Sequence, residues 1–185
     1  KLGITYLDTG AMYRACALAA LRAGIDVADE AQVCVLMRDI PLNVVYRDGE
    51  QHTMLDGEDV SDQIRTPEVS MAASTVSRHM SVRMKMVEKQ REIAGKMSCV
   101  LDGRDIGTFV LPDADFKFFL TASAEVRAKR RADEMTAKGY RVDFEKLKQE
   151  IAARDEQDST REFAPLKRAD DAVLIDTSDM TIEEV

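Results

Sequence analysis

An arginine stands between two aspartates directly after an apolar run in the stretch CVLDGRDIGT, residues 99–108. Asp102, at the end of a predicted strand, is suited to holding Mg²⁺ through water, and Arg104 offers a planar fork that matches phosphate oxygens. Asp105 is then available to accept hydrogen bonds from an amine. A purely structural Asp–Arg–Asp network is the alternative, and this stretch alone does not decide between the two.

A second candidate site is Asp8-Thr9-Gly10, where a short predicted strand gives way to a helix. A helix N-terminus offers backbone N–H groups and a partial positive charge, which suit a phosphate. Arg14, one turn into the helix, would complete an anion pocket. The simpler alternative is a helix cap with a surface arginine, and the residues taken by themselves favour that alternative.

A third group of candidates lies in ARDEQDSTR, residues 153–161. If Ala152 to Arg161 is helical, Arg154, Asp158 and Arg161 share one face at i, i+4 and i+7. Arg127 and Arg131, four residues apart after the run FFLTAS, are placed to face the same cleft. The alternative is a ladder of surface salt bridges, each of which contributes only a few tenths of a kcal/mol.

Strands and helices that would position these groups alternate along the chain. Ile4 to Leu7 predicts a strand, followed by a helix from about Gly10 to Ala23, with Thr9 as its N-cap and Gly24 as its C-cap.

The middle of the chain has a different pattern. In LNVVYRDGEQHTMLDGEDV, strand-like runs are interrupted at Asp48-Gly49 and at Asp56-Gly57, dipeptides that are typical of tight hairpins. A small antiparallel sheet is therefore predicted.

After the predicted hairpins the helical pattern returns. Thr66 is a predicted N-cap with Pro67 at the first helical position, and a break is expected near His79-Met80-Ser81. A later charged stretch predicts two helices, broken at Gly139, with Asp143 capping the second. The apolar runs SCVL, FKFFL and DAVLID are typical of parallel strands that are buried on both faces. The chain is therefore predicted to be α/β, a parallel-sheet core with flanking helices.

Composition excludes several classes of protein. The net charge of −8 argues against a nucleic-acid polymer as partner, although a few converging arginines can still bind a small anion. Cys16, Cys34 and Cys99 are odd in number and have apolar neighbours, which predicts buried thiols in a reducing compartment. No Cys/His spacing predicts a zinc site, and neither a signal peptide nor a membrane span is visible, so the cytoplasm is the expected location.

Taken together, YLDTGAMYR, LDGEDVSDQIRTPEVSMAAS, LDGRDIGT and ARDEQDSTR resemble, in order and spacing, the bacterial cytidylate kinases, which are P-loop nucleoside monophosphate kinases. The resemblance covers essentially the whole chain and implies a three-layer fold with a helical lid. It also implies five segments: a first part of the core (1–38), a monophosphate-binding region with the antiparallel insert (39–97), core (98–121), helices and lid (122–168), and core (169–185).

The resemblance also implies an activity, which is phosphoryl transfer from ATP to CMP or dCMP with Mg²⁺ as cofactor, in pyrimidine nucleotide metabolism. CMP, dCMP and ATP are the expected small-molecule ligands, and the protein is expected to be a monomer without a nucleic-acid or membrane partner. Arginines 104, 154 and 161 would be the catalytic residues, and Asp102 would hold the metal through water. Roles in ligand binding would be divided by group: Thr9, Arg14, Arg104 and Arg161 at the acceptor phosphate, Arg154 and Asp158 at the ribose, Ser74, Arg83 and Asp105 at the cytosine, and Arg127 and Arg131 on the ATP side.

In one respect the sequence departs from this family. The first strand and the glycine-rich loop G-x-x-x-x-G-K-[ST], which holds the ATP phosphates, have no counterpart in the 185 residues. We therefore expect residues 1–185 alone to be inactive. Two alternatives stay open, namely an inactive nucleotide-binding relative or fragment, and a kinase for another small acceptor.

Overall fold

The computed structural model describes residues 3–185, in two units, one that ends at Ile106 and one that runs from Gly107 to Val185. The first unit contains, in chain order, β1 (Thr5–Asp8), α1 (Thr9–Arg22), α2 (Glu30–Arg38), β2 (Leu42–Arg47), β3 (Glu50–Leu55), β4 (Glu58–Asp59), α3 (Pro67–Val76), α4 (Met80–Ala94) and β5 (Cys99–Asp102). The second contains β6 (Phe118–Thr121), α5 (Ala124–Ala137), α6 (Phe144–Thr160) and β7 (Val173–Asp176). The α/β class predicted from the sequence is confirmed.

Strands β1 and β5 pair in parallel, with Thr5 opposite Cys99 and Asp8 opposite Asp102. Their carboxyl ends therefore coincide. This pairing brings the turn after Asp8 beside the turn after Asp102, so two of the three candidate sites lie at one sheet edge, where parallel sheets bind ligands.

Helix α1 begins one residue earlier than predicted, and the prediction that Thr9 is its N-cap is wrong. Asp8 is the cap, and its carboxylate accepts a hydrogen bond from the Ala11 N–H at 2.9 Å. Both residue types cap well, but here the Thr9 hydroxyl donates to the Asp102 carbonyl at 2.6 Å instead. At the other end Gly24 has a φ of +66°, the left-handed conformation expected of the glycine that closes a helix.

The antiparallel sheet of β2, β3 and β4 forms as predicted. Asp48 and Gly49 have φ values of 53° and 83°, and Asp56 and Gly57 have 51° and 78°. Positive φ at both central residues is the requirement of a type I′ hairpin, which Asp-Gly meets at low cost. The resulting register places Tyr46 directly opposite Gln51.

Helices α3 and α4 complete the first unit. Thr66 caps α3 by accepting from the Val69 N–H at 3.2 Å, Pro67 is its first residue, and the predicted break falls between Val76 and Met80. The core of this unit joins these helices to α1 and includes Leu7, Met12, Ala15, Cys16, Val69, Ala73, Val76, Val82 and Met86. It thereby fixes α4, whose buried face carries Arg83.

In the second unit β6 and β7 pair in parallel, and Phe118 lies opposite Val173. Asp143 caps α6 by accepting from the Lys146 N–H at 3.0 Å, and Gly139 has a φ of +83°, as the predicted break requires. The expectation that the parallel strands are buried on both faces is wrong for the described residues. Phe118 and Leu120 of β6 are 59% and 55% exposed. Val173 and Leu174, which point to opposite faces of β7, are 56% and 50% exposed, so neither face of this two-stranded sheet is fully covered among residues 3–185.

The three cysteines are free thiols, as predicted, but only Cys16 is fully buried, whereas Cys34 and Cys99 are partly exposed. Among residues 3–185, no helix has the length and apolar character needed to cross a bilayer.

Candidate functional site

The turn after β5 packs tightly against the start of α1. A Cβ on Gly103 would lie 2.7 Å from both Thr9 Oγ1 and Ile106 Cδ1, so position 103 has no room for a side chain. The Asp102 carboxylate is exposed, and its Oδ2 accepts from the Tyr6 hydroxyl at 3.3 Å. Burial, followed by the negative charges of Asp102 and Asp8, raises the pKa of Tyr6 to about 12.

Beyond this turn, Asp105 forms a buried ion pair with Arg83 of α4. Arg83 Nη2 lies 2.6 Å from Asp105 Oδ2, and the two residues are 2% and 5% exposed. Arg83 Nη1 donates to the Ser77 carbonyl at 3.2 Å, while its Nε is buried with no acceptor among residues 3–185. The Tyr13 ring centre is 5.7 Å from the guanidinium carbon, within cation–π range.

Both charged partners were predicted from the sequence, and the structure brings them into contact. Burial of two charges carries a large desolvation cost, which close contact and further hydrogen bonds must offset. Ser74, the third predicted member, lies on α3 one turn before Ser77, whose hydroxyl donates to the Ser74 carbonyl at 3.0 Å.

The second turn of α1 carries a further cationic group near this edge. Arg14 Nη1 is 3.5 Å from Asp8 Oδ2, and it has no hydrogen-bond acceptor among the described residues. Because the Thr9 hydroxyl proton is already donated to Asp102, an anion at this turn would meet the Arg14 guanidinium and the backbone N–H groups. Arg104 follows Gly103 and is exposed to solvent.

In the second unit, Asp158 is the centre of the third candidate group. Asp158 is 4% exposed, with Oδ1 at 3.3 Å from Arg161 Nη1 and Oδ2 at 3.9 Å from Arg154 Nε. The predicted helical face is wrong in one detail, since α6 ends at Thr160 and Arg161 is extended. Arg161 still reaches Asp158 because its Nε is held by the Ala164 carbonyl at 2.7 Å.

The remaining two candidates, Arg127 and Arg131, have different partners. Arg127 joins α5 to α6 through two hydrogen bonds to the Asp155 carboxylate, at 2.9 and 2.5 Å, and its Nε donates to the Ala122 carbonyl. Arg131 pairs with Glu134 of its own helix at 2.8 Å. Lys138, and after it Arg131, lowers the pKa of Glu134 through hydrogen bonds to its carboxylate.

Two of these partners were not predicted from the sequence. Asp155 is 28 residues from Arg127, and Tyr13 is 70 from Arg83, so local spacing carried no signal for either contact.

Two surface cavities, of about 310 and 440 Å³, are lined by residues other than the predicted site residues. The first is lined by Gly107, Thr108, Lys167, Arg168, Ala169 and Asp170, and the second by Leu18, Leu21, Arg22, Gln63, Thr66, Glu68 and Val69.

Parallel strands that end at aspartates beside a helix N-terminus, with arginines close by, define an α/β protein of the kind that binds phosphorylated ligands at its strand ends. The model of the cytidylate kinase family matches residues 1–185, and the chain belongs to that family. The resemblance found in the sequence is thereby confirmed.

Individual relatives cover the whole of this chain. It is 49% identical to a cytidylate kinase of Caldicellulosiruptor bescii and 50% identical to one of Bacillus pumilus, in each case over 185 residues that make up 82% of the relative. A cytidylate kinase of Lactobacillus johnsonii is 50% identical, with 80% of its length covered. Because these relatives are named cytidylate kinases, the comparison does not support the alternative that the chain is an inactive relative or fragment.

Proposed function

We propose that this protein transfers the γ-phosphoryl group of ATP to CMP or dCMP, giving CDP or dCDP, in pyrimidine nucleotide metabolism. The observation that carries the proposal is the buried Arg83–Asp105 pair just beyond the exit of β5, next to a turn suited to a phosphate. Membership of the cytidylate kinase family supports the same reaction.

The Arg83–Asp105 pair has the polarity that cytosine requires. The exocyclic amine of cytosine donates, and its ring N3 and O2 accept. Asp105 would accept from the amine, and Arg83, fixed by the Ser77 carbonyl, would donate to the ring acceptors. Uracil has a carbonyl in place of the amine, so its oxygen would face the carboxylate and leave buried polar groups unpaired. Ser74 would contribute from α3.

The acceptor phosphate would lie at the other end of the nucleotide. Arg14, Arg104 and the first backbone N–H groups of α1 supply positive potential there, and Thr9 would act through its backbone since its hydroxyl proton is donated to Asp102. Arg161 would add a further contact to the phosphate. Arg154 and Asp158 would reach the ribose.

No side chain need act as a nucleophile in this reaction. An oxygen of the CMP phosphate attacks the γ-phosphorus of ATP and ADP leaves, while the arginines position the groups and stabilise the transferring charge. Mg²⁺ when bound would neutralise phosphate charge. The exposed Asp102 carboxylate fits a water-mediated contact to that ion, because Mg²⁺ keeps most of its waters and takes one or two carboxylates.

Arg127 and Arg131 are proposed for the ATP side. In the structure the Arg127 fork is engaged by Asp155, so contact with a phosphate requires this ion pair to open. Location in the cytoplasm, a monomeric state and the absence of nucleic-acid and membrane partners stay predictions. The inactivity of residues 1–185 alone also stays a prediction, and CMP-dependent ATP turnover by that segment would contradict it.

An acceptor panel tests the proposed function. The full-length gene product is assayed for ADP release with ATP, Mg²⁺ and CMP, dCMP, UMP or AMP. We expect kcat/KM for CMP and dCMP to exceed that for UMP and AMP by at least about a hundredfold, because a mismatched base leaves charged groups unpaired. Equal activity on all four acceptors, or activity on none, would overturn the proposal. A higher kcat/KM for some other small acceptor would favour the remaining alternative.

A further inference from the structure

The side-chain amide of Gln51 holds both backbone groups of Asp8. Its Oε1 accepts from the Asp8 N–H at 2.7 Å, and its Nε2 donates to the Asp8 carbonyl at 3.2 Å. A carboxamide placed in this way imitates the peptide group of a neighbouring strand. No pattern in the sequence predicted this contact, which spans 43 positions.

The contact is made on the edge of β1 that faces away from β5. Backbone groups of alternate residues point to the same side of a strand, and the Thr5 N–H is directed toward the β5 side, to Ser98. Tyr6 and Asp8 therefore present their backbone groups to the opposite edge. Gln51 takes those of Asp8, and the Tyr46 hydroxyl donates to the Tyr6 carbonyl at 3.1 Å.

Tyr46 and Gln51 are directly opposite each other on β2 and β3, so they project from one face of the antiparallel sheet. The hairpin turn at Asp48-Gly49 fixes that register. The antiparallel insert is thus anchored on β1 by two adjacent side chains, and the anchor at Gln51 falls on the last residue before α1.

Asp8 also controls the geometry of the predicted phosphate end. Its carboxylate caps α1 through the Ala11 N–H and lies 3.5 Å from Arg14 Nη1. A Cβ on Gly10 would lie 3.1 Å from Asp8 Oδ1, so position 10 has little room for a side chain next to this carboxylate. A shift of the Asp8 peptide would therefore move the cap, the guanidinium and the first N–H groups of the helix together.

We propose that Gln51 is a positioning residue for the acceptor phosphate, through which the antiparallel insert sets the Asp8–Thr9 turn against its ligand. The inference rests on the proposed function and deepens it. Gln51 acts on the shared phosphate end of the nucleotide and leaves the choice of base to Arg83 and Asp105. Its loss weakens binding of any ligand that carries the phosphate, with no effect on recognition of the base.

The test compares CMP with cytidine, which lacks the phosphate, on the full-length protein. A Gln51→Met variant keeps the length of the side chain and removes both hydrogen bonds. We expect its Kd for CMP, measured by calorimetry, to rise about tenfold, the loss that corresponds to roughly one net hydrogen bond, while the Kd for cytidine, measured by NMR titration, stays within about twofold. The matched control is Tyr46→Phe, which removes the neighbouring anchor at Tyr6 and should leave both values within about twofold.

Several outcomes would overturn the inference. An unchanged Kd for CMP would do so, and so would an equal loss for CMP and cytidine, which is the signature of a purely structural contact. If Gln51→Met does not fold, Gln51→Glu retains the acceptor for the Asp8 N–H and loses the donor, and the same comparison decides. A wild-type protein that binds no CMP would overturn the proposed function and this inference with it, whereas a Gln51 result of the kinds above would overturn the inference alone.

Discussion

Replacement of both members of the Arg83–Asp105 pair by apolar residues tests whether this ion pair only stabilises the fold or also recognises the base. Asp105→Ala alone leaves the Arg83 guanidinium, 2% exposed, without its carboxylate. The loss of one partner from a buried pair destabilises a fold by about 3–5 kcal/mol. The double variant Arg83→Met/Asp105→Leu removes both charges at similar volume, so we expect it to recover stability to within about 1 kcal/mol of the wild type.

Recognition of cytosine should not recover in the double variant. A hydrogen bond to a charged group contributes about 1.5–3 kcal/mol, which corresponds to roughly a ten- to hundredfold change in a binding constant. The ratio of the UMP Kd to the CMP Kd should therefore fall by at least about tenfold in both the Asp105→Ala and the double variant.

Urea unfolding and calorimetric titration with CMP and UMP measure the two effects separately. Arg104→Ala is the matched control, since this exposed residue lies next to Asp105 in the chain. It should leave stability within about 0.5 kcal/mol and weaken CMP and UMP alike, because both carry the phosphate. A double variant that keeps the wild-type preference for CMP would refute the reasoning and leave the pair with a structural role only.

Three further predictions follow from single contacts. Gly103→Ala should lower the free energy of unfolding by about 1–3 kcal/mol in urea, because its Cβ would lie 2.7 Å from Thr9 Oγ1; a loss below about 0.5 kcal/mol would contradict this packing. Burial raises the pKa of the Cys16 thiol to about 12 from its ordinary value near 9, so between pH 9 and 12 the unfolded chain loses a proton that the folded protein keeps, and stability falls. Thermal melts should show this fall, and Cys16→Ala should make it shallower; an unchanged slope would count against the buried thiol. Finally, Arg127→Met should reduce kcat at least about tenfold if the Arg127 guanidinium binds ATP, and the melting temperature should change little because the Arg127–Asp155 pair is about a third exposed. Asp155→Asn should leave turnover intact. Equal losses of kcat in the two variants would favour a purely structural pair.

Features governed by local geometry could be predicted from the sequence. The two Asp-Gly turns, the Thr66 and Asp143 caps and the glycine at position 139 were all placed correctly, because each depends on a few neighbouring residues. The cap of α1 was misplaced by one residue, since adjacent aspartate and threonine both suit that role and only the Asp102 carbonyl, far along the chain, decides between them.

Contacts between distant segments were beyond the sequence unless a family pattern pointed to them. The resemblance indicated that Arg83 and Asp105 act together, and they meet at 2.6 Å. It gave no indication that Asp155 engages Arg127 or that Gln51 holds Asp8, because these contacts depend on how helices and the antiparallel insert pack. The roles of Arg154, Asp158 and Arg161 toward a nucleotide stay predictions.

The most direct measurement is a crystal structure of the full-length protein with CMP. We predict that the exocyclic amine of cytosine lies within hydrogen-bond distance of the Asp105 carboxylate, that Arg83 donates to the ring, and that the phosphate lies at the N-terminus of α1 beside Arg14. A CMP molecule bound away from these residues, or bound with its base directed away from Asp105, would contradict the account.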